Sequence, residues 1–219
     1  MTHAMRYDSV HMVLDTYEQL EKAHGQRDRR LRIEHLDQGA DADIGRFSKL
    51  GVLPVIEVAF CCSASGFNFN PADTIESDRW RSVNSTGALG LGSDWPCTWP
   101  PSPFVAMEQA VTRAVWRSPD TDPIMGQPLD GAAQGGARKT GETYVPKERL
   151  SIEETLLAYT RDSAYAAFFD SWAGSLTVGK EADLVILSQD IFRVPPERIP
   201  GTQVVLTMVG GKIVYGAPP

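Results

Sequence analysis

The first half of the chain alternates between two hydrophobic periods, and this restricts its fold more than any other feature. Val10, Val13, Leu14, Tyr17 and Leu20 recur at helical spacing and mark one apolar face. His24-Gly25 then supplies a stop. Leu31 to Leu36 reads as a short strand, and Asp41 to Leu50 as a second helix closed by Gly51. Leu53 to Phe60 is rich in Val and Ile and fits a strand buried on both faces. A polar loop, Cys61 to Pro71, leads into a helix over Asp73 to Asn84, a short strand over Ala88 to Gly92, and a helix over Phe104 to Trp116. Preceded by a strand near the start, this order predicts parallel strands joined by crossover helices, an α/β architecture.

Beyond residue 117 the pattern changes. Ser118 to Pro146 is dense in Gly, Pro, Asp and Thr and reads as a long irregular stretch. Ser151 with Glu154 three residues on has capping-box spacing and opens a helix expected to run to about Phe169. Asp183 to Leu187 is a short apolar strand. Val204 to Val209 and Lys212 to Tyr215 flank Gly210-Gly211, a hairpin signal because both turn residues tolerate positive φ.

The formal net charge of −7 gives no electrostatic help in holding nucleic acid or an anionic membrane. Arg27, Arg29, Arg30 and Arg32, with Asp28 among them, read as a solvated helix end and loop. No apolar run approaches the roughly 18 residues that a spanning helix needs, and no secretory signal opens the sequence. Three cysteines, Cys61, Cys62 and Cys97, without framework spacing fit a reducing, cytoplasmic compartment. The expected partner is a small molecule, with neither nucleic acid nor membrane.

His3, His35 and Asp94 stand at or just beyond the carboxyl ends of expected strands, where ligands gather in parallel βα architectures. Two imidazoles and a carboxylate are competent ligands for zinc or a similar divalent ion. Each residue also has a plain reading. His3 is an exposed residue near the chain start, His35 a hydrogen-bonded strand histidine, and Asp94 the former of an Asx-turn. His11 and His24 lie on helical positions and are given no catalytic role.

A set of local sequences settles on one resemblance. They are Thr2-His3-Ala4, Arg32-Ile33-Glu34-His35, Leu91-Gly92-Ser93-Asp94-Trp95-Pro96, Ala110-Val111-Thr112-Arg113, Leu150-Ser151-Ile152-Glu153-Glu154, Ala158-Tyr159-Thr160, Gly174-Ser175-Leu176 leading into Gly179-Lys180-Glu181-Ala182-Asp183-Leu184-Val185, and Val209-Gly210-Gly211-Lys212-Ile213-Val214-Tyr215. In this order and spacing the chain resembles the metal-dependent amidohydrolase superfamily, in particular the amidohydrolase-3 group of N-substituted formamide deformylase-like proteins.

The resemblance implies the C-terminal half, strands five to eight, of a (β/α)8 barrel, plus the C-terminal strands of a small β-sandwich. The barrel part would cover residues 1–170 and the sandwich segment residues 171–219. His3 and His35 match the metal-binding histidines after the fifth and sixth strands. Asp94 matches the aspartate after the eighth, a metal ligand and proton shuttle. The implied cofactor is a divalent metal such as zinc. The implied reaction is hydrolysis of a non-peptide C–N bond, usually an amide, by metal-activated water. Where the family has Gly-Asp after the fifth-strand histidine, this chain has Arg6-Tyr7, with Asp8 next.

The family's His-x-His of the first strand occurs nowhere in the sequence. The chain is therefore expected to be a truncated form whose activity needs a separate N-terminal half or a homo-oligomeric partner. The alternative is a catalytically inactive half-barrel that binds a partner.

Overall fold

The computed structural model describes residues 1–39, 41–58, 79–85, 87–95, 102–114, 143 and 145–217. The three cysteines, the expected loop at 61–71, the first part of the expected helix at 73–84 and most of the irregular stretch at 118–146 lie outside the described residues.

Four parallel strands form one sheet in the order β1 (Thr2–Ala4), β2 (Arg32–His35), β3 (Leu53–Glu57), β4 (Gly90–Gly92). The connections carry helices α1 (Tyr7–His24), α2 (Asp41–Leu50) and α3 (Trp80–Asn84), and α4 (Pro103–Thr112) follows the last strand. Sequence order and spatial order coincide, as expected for successive βα units.

The apolar stripe of α1 buries Val10, Leu14 and Tyr17. These join Ile33, Ile56 and Leu91 from the strands, and Phe47, Trp80 and Val83 from the helices, in one core. Completely burying a side chain of this size contributes roughly 1.5–3 kcal/mol, so this face is the main source of stability. The Tyr17 hydroxyl shares a hydrogen bond with Thr2 Oγ1 (2.8 Å) and donates to the Arg32 carbonyl (3.2 Å). It thereby ties the starts of β1 and β2 together.

The strand expected over Leu53 to Phe60 pairs through Glu57, opposite Gly92 at the end of β4, and its expected end at Phe60 lies outside the described residues. Several elements are shorter than the sequence pattern predicts, each for a visible reason. The strand expected over Leu31 to Leu36 ends when His35 and Leu36 turn to φ of 75° and 50°. The helix expected over Phe104 to Trp116 ends at Thr112, and Arg113 takes a left-handed conformation (φ 58°). Arg113 is fully buried and sets its guanidinium 3.8 Å above the Trp80 ring. That tertiary cation–π contact overrides further helical turns.

The capping box forms: Glu154 N–H donates to Ser151 Oγ (3.1 Å) and Ser151 N–H to Glu154 Oε2 (2.7 Å). The helix it opens is not uniform. It runs as α5 (Ile152–Leu157), a π-helical turn (Ala158–Asp162) and α6 (Ser163–Ala166), and Phe168 at φ 62° closes it. Ser163 Oγ bonds the carbonyl of Ala158 (2.6 Å) and reaches that of Leu91 in β4 (3.5 Å).

A second, antiparallel sheet has the order β5 (Leu184–Leu187), β6 (Val204–Val209), β7 (Lys212–Gly216). Its hairpin turns at Gly210 and Gly211 with φ of 55° and 76°, as the sequence predicts. Met107 of α4 packs against Ile191 and Ile199, which lie in the connection between β5 and β6. Among the described residues no helix is long and apolar enough to cross a membrane.

The arginine cluster departs from its expectation as a solvated loop. Arg29 pairs with Glu21 (2.5 Å). Arg30 pairs with Asp28 (3.2 Å) and with Asp170, and its guanidinium lies 4.0 Å from the Tyr165 ring and 4.2 Å from the Phe168 ring. Partners some 140 residues away leave no local trace in sequence.

Candidate metal centre

The carboxyl ends of the parallel strands carry a dense group of buried polar side chains. His35, Glu34, Asp37, Gln38 and Glu57 are each at most 7% exposed. Burial of this kind needs partners, because an isolated buried charge is strongly disfavoured.

The two sequence-predicted histidines come together. His35 Nε2 lies 3.0 Å from His3 Nδ1, and their rings meet edge-on with centroids 4.7 Å apart. The left-handed backbone at His35 and Leu36 makes this possible. It ends β2 and keeps Leu36 buried, while its amide bonds the Ala4 carbonyl (3.2 Å). A bulky residue at positive φ costs of order 1–3 kcal/mol and tends to cluster at functional sites. His3 itself is exposed on its other side. The plain reading of an exposed histidine and the site reading of a paired one therefore both describe it.

Burial, reinforced by the neighbouring His3, lowers the His35 pKa, and Asp94 opposes the shift. A neutral imidazole is the form that ligates metal. On its other side, His35 Nδ1 lies 3.3 Å from Glu57 Oε2. Burial, together with the charges of Glu34, Asp94 and Asp37, pushes the Glu57 carboxyl up to about 8.

Asp94 sits beyond β4 with φ 53°. The turn amide of Trp95 donates to Ser93 Oγ (3.3 Å). Asp94 is close enough for its charge to act on both His35 and Glu57. It does not join the histidines in a tight cluster: among the described residues no group of three His, Cys, Asp or Glu side chains is arranged to hold a metal ion.

Two imidazole nitrogens facing one another fit two positions of a zinc site. A tetrahedral zinc, about 2.0–2.1 Å from each nitrogen, would set them about 3.4 Å apart, a small opening from the 3.0 Å seen here.

Glu57 and Tyr159 are the residues that the sequence pattern left without a role. A glutamate inside Leu53-Pro54-Val55-Ile56-Glu57-Val58 is the one signal that would have found the first, because an acid in a buried apolar strand requires a reason. The Tyr159 hydroxyl is buried without a hydrogen-bond partner in the π-helical turn, and the charge of Glu57 acts on it. His11, assigned no catalytic role, lies apart from the rim. It bonds Asp43 (3.0 Å), which also holds Arg46 (2.9 Å), and so clamps α1 to α2.

Comparison with known proteins follows the same lines. The profile of the amidohydrolase family matches residues 1–215. Protein LONG AFTER FAR-RED 3 of Arabidopsis thaliana is 31% identical over 97% of this chain and 33% of that protein. N-substituted formamide deformylase of Arthrobacter pascens is 27% identical over 97% of this chain and 36% of that protein. The chain thus spans about a third of the length of these curated relatives. A crystal structure of an uncharacterized metal-dependent hydrolase from Pyrococcus furiosus superposes with a TM-score of 0.59 at 25% identity, over 82% of this chain and 31% of that one. The parallel βα order, the histidine pair at its rim and the match over nearly the whole length agree, and the chain belongs to the amidohydrolase family, within the metal-dependent amidohydrolase superfamily.

Proposed function

We propose that this chain supplies part of the metal centre of a hydrolase acting on a non-peptide C–N bond, most simply the amide of a small molecule. The observation that carries this reading is the 3.0 Å approach of His3 Nδ1 to His35 Nε2 at the ends of adjacent parallel strands. Residues 1–170 are read as strands five to eight of a (β/α)8 barrel with their helices, and residues 171–219 as a β-sandwich segment.

His3 and His35 would hold a divalent metal, zinc by donor type, with Asp94 facing the same rim. When bound, such a metal supplies Lewis acidity for attack by water on the amide carbonyl. The protein's own part is to keep His35 neutral by burial, to orient it, and to place Asp94 where a carboxylate can take and return a proton. The chain contains no His-x-His, so the remaining ligands must come from outside these 219 residues. A complementing N-terminal half is the partner this reading calls for, since a second copy would bring no His-x-His of its own. Turnover of an N-substituted formamide is expected only when those ligands are supplied.

The direct test is zinc bound at equilibrium by the 219-residue chain, read by competition with a chromophoric chelator. His3→Ala and His35→Ala should each lose most of it, while His11→Ala should keep it. Unchanged zinc in His35→Ala would remove the assigned site.

The exposed edges favour a second reading, an interaction protein without turnover. Among the described residues β1 and β4 each pair on one side only, and unpaired strand edges invite association. That reading predicts self-association of the chain and no zinc dependence of it.

A further inference from the structure

We propose that Glu57 is the residue that positions His35, holding the imidazole proton on Nδ1 so that the Nε2 lone pair faces His3. The inference rests on the reading of His3 and His35 as a metal-binding pair and adds a residue from the third strand to it.

Three observations carry it. Glu57 Oε2 lies 3.3 Å from His35 Nδ1, with both side chains more than nine-tenths buried. Glu57 also accepts a hydrogen bond from the His35 backbone, so one carboxyl group bonds the main chain and faces the ring of the same residue. Finally, the acid stands in an otherwise apolar strand. A leucine of similar volume would satisfy packing at that position without the desolvation penalty, so an acceptor there is explained by the imidazole it faces.

The geometry is a line of carboxyl group, imidazole and imidazole. One proton lies between His35 Nε2 and His3 Nδ1, because two bare lone pairs would repel at 3.0 Å. If the His35 proton is held toward Glu57, then His3 Nδ1–H is the donor and His35 Nε2 the acceptor. Without Glu57 the ring is free to take the opposite tautomer, which turns N–H rather than a lone pair toward an incoming cation. Outer carboxylates that fix a ligand histidine in this way typically change metal affinity 10–100-fold.

The test uses the 219-residue chain and zinc alone. Nitrogen chemical shifts of the unmutated, metal-free protein should give His35 as the Nδ1–H tautomer; an Nε2–H tautomer overturns the proposal without any mutation. Zinc affinity, measured by competition with a chromophoric chelator, should weaken about 10–100-fold in Glu57→Leu. It should recover substantially in Glu57→Gln, whose carbonyl still accepts. Equal zinc affinity in Glu57→Leu and unmutated protein would contradict the proposal. His35→Ala separates the two layers. Loss of zinc there with none in Glu57→Leu sinks only the role of Glu57, whereas retention in both sinks the underlying metal pair.

Discussion

The two sheets of this protein divide their labour unequally. The parallel sheet packs with α1, α2 and α3 over a continuous core and gathers buried charge at its carboxyl rim. The antiparallel sheet is paired along both ladders, with one register shift in each, and has little burial: every residue of β7 is exposed, and Val185, Val209, Val214 and Tyr215 are each more than half exposed. Backbone pairing alone is therefore not what stabilises a region. The parallel sheet can hold His35 and Leu36 in left-handed conformations because the core around them over-determines their placement. The antiparallel sheet has no comparable packing with which to strain anything.

That contrast is most exposed to test in the core. Trp80 is fully buried and carries the buried Arg113 against its ring. Trp80→Ala is expected to lower unfolding free energy by about 3–5 kcal/mol, read by urea denaturation. A loss under about 1 kcal/mol would mean the parallel sheet is no better packed than the other.

The junction between the regions comes next in size. Glu108 of α4 is 7% exposed and donor-poor: Thr112 Oγ1 is within 3.2 Å of Oε1, while Oε2 has no partner. Burial lifts its carboxyl from 4.5 to about 7, and Glu197, in the 3-10 segment Pro196–Gly201, adds to the shift. The folded state then holds the proton more tightly than the unfolded chain. Stability should fall as pH rises from about 4.5 to about 7 and level off above it. Glu108→Gln should flatten this slope and be the more stable variant at pH 8, by up to about 3 kcal/mol. A slope unchanged by the substitution would refute the buried-acid account.

A smaller effect is expected at Tyr159. Its orphaned hydroxyl should make Tyr159→Phe neutral or stabilising by up to about 1 kcal/mol in thermal unfolding, and a destabilisation beyond that would point to a partner for the hydroxyl. Smallest of all should be Val214→Ala, on the exposed β7, within about 0.5 kcal/mol. A core-sized loss there would erase the contrast between the sheets.

What was legible in the sequence divides along physical lines. The alternation of periods revealed the order of strands and helices, the Ser151–Glu154 cap and the Gly210-Gly211 turn, because each is fixed by residues near one another in sequence. The family resemblance singled out His3 and His35, which the fold brings to 3.0 Å; their spacing alone left both open to plain readings. Arg30 was misread because its partners Tyr165, Phe168 and Asp170 are remote in sequence. The end of α4 at Thr112 was missed because the contact of Arg113 with Trp80 is tertiary. Glu57 went unassigned because an acid in an apolar strand says that a partner exists and not which one.

The central claim is that His3 and His35 bind one metal ion together. X-ray absorption at the zinc edge of the zinc-loaded chain measures it most directly. Two imidazole nitrogens at about 2.0–2.1 Å, falling to one or to no bound zinc in His35→Ala, are the predicted result. Zinc ligated by sulfur, or an imidazole signal unchanged in His35→Ala, would contradict it.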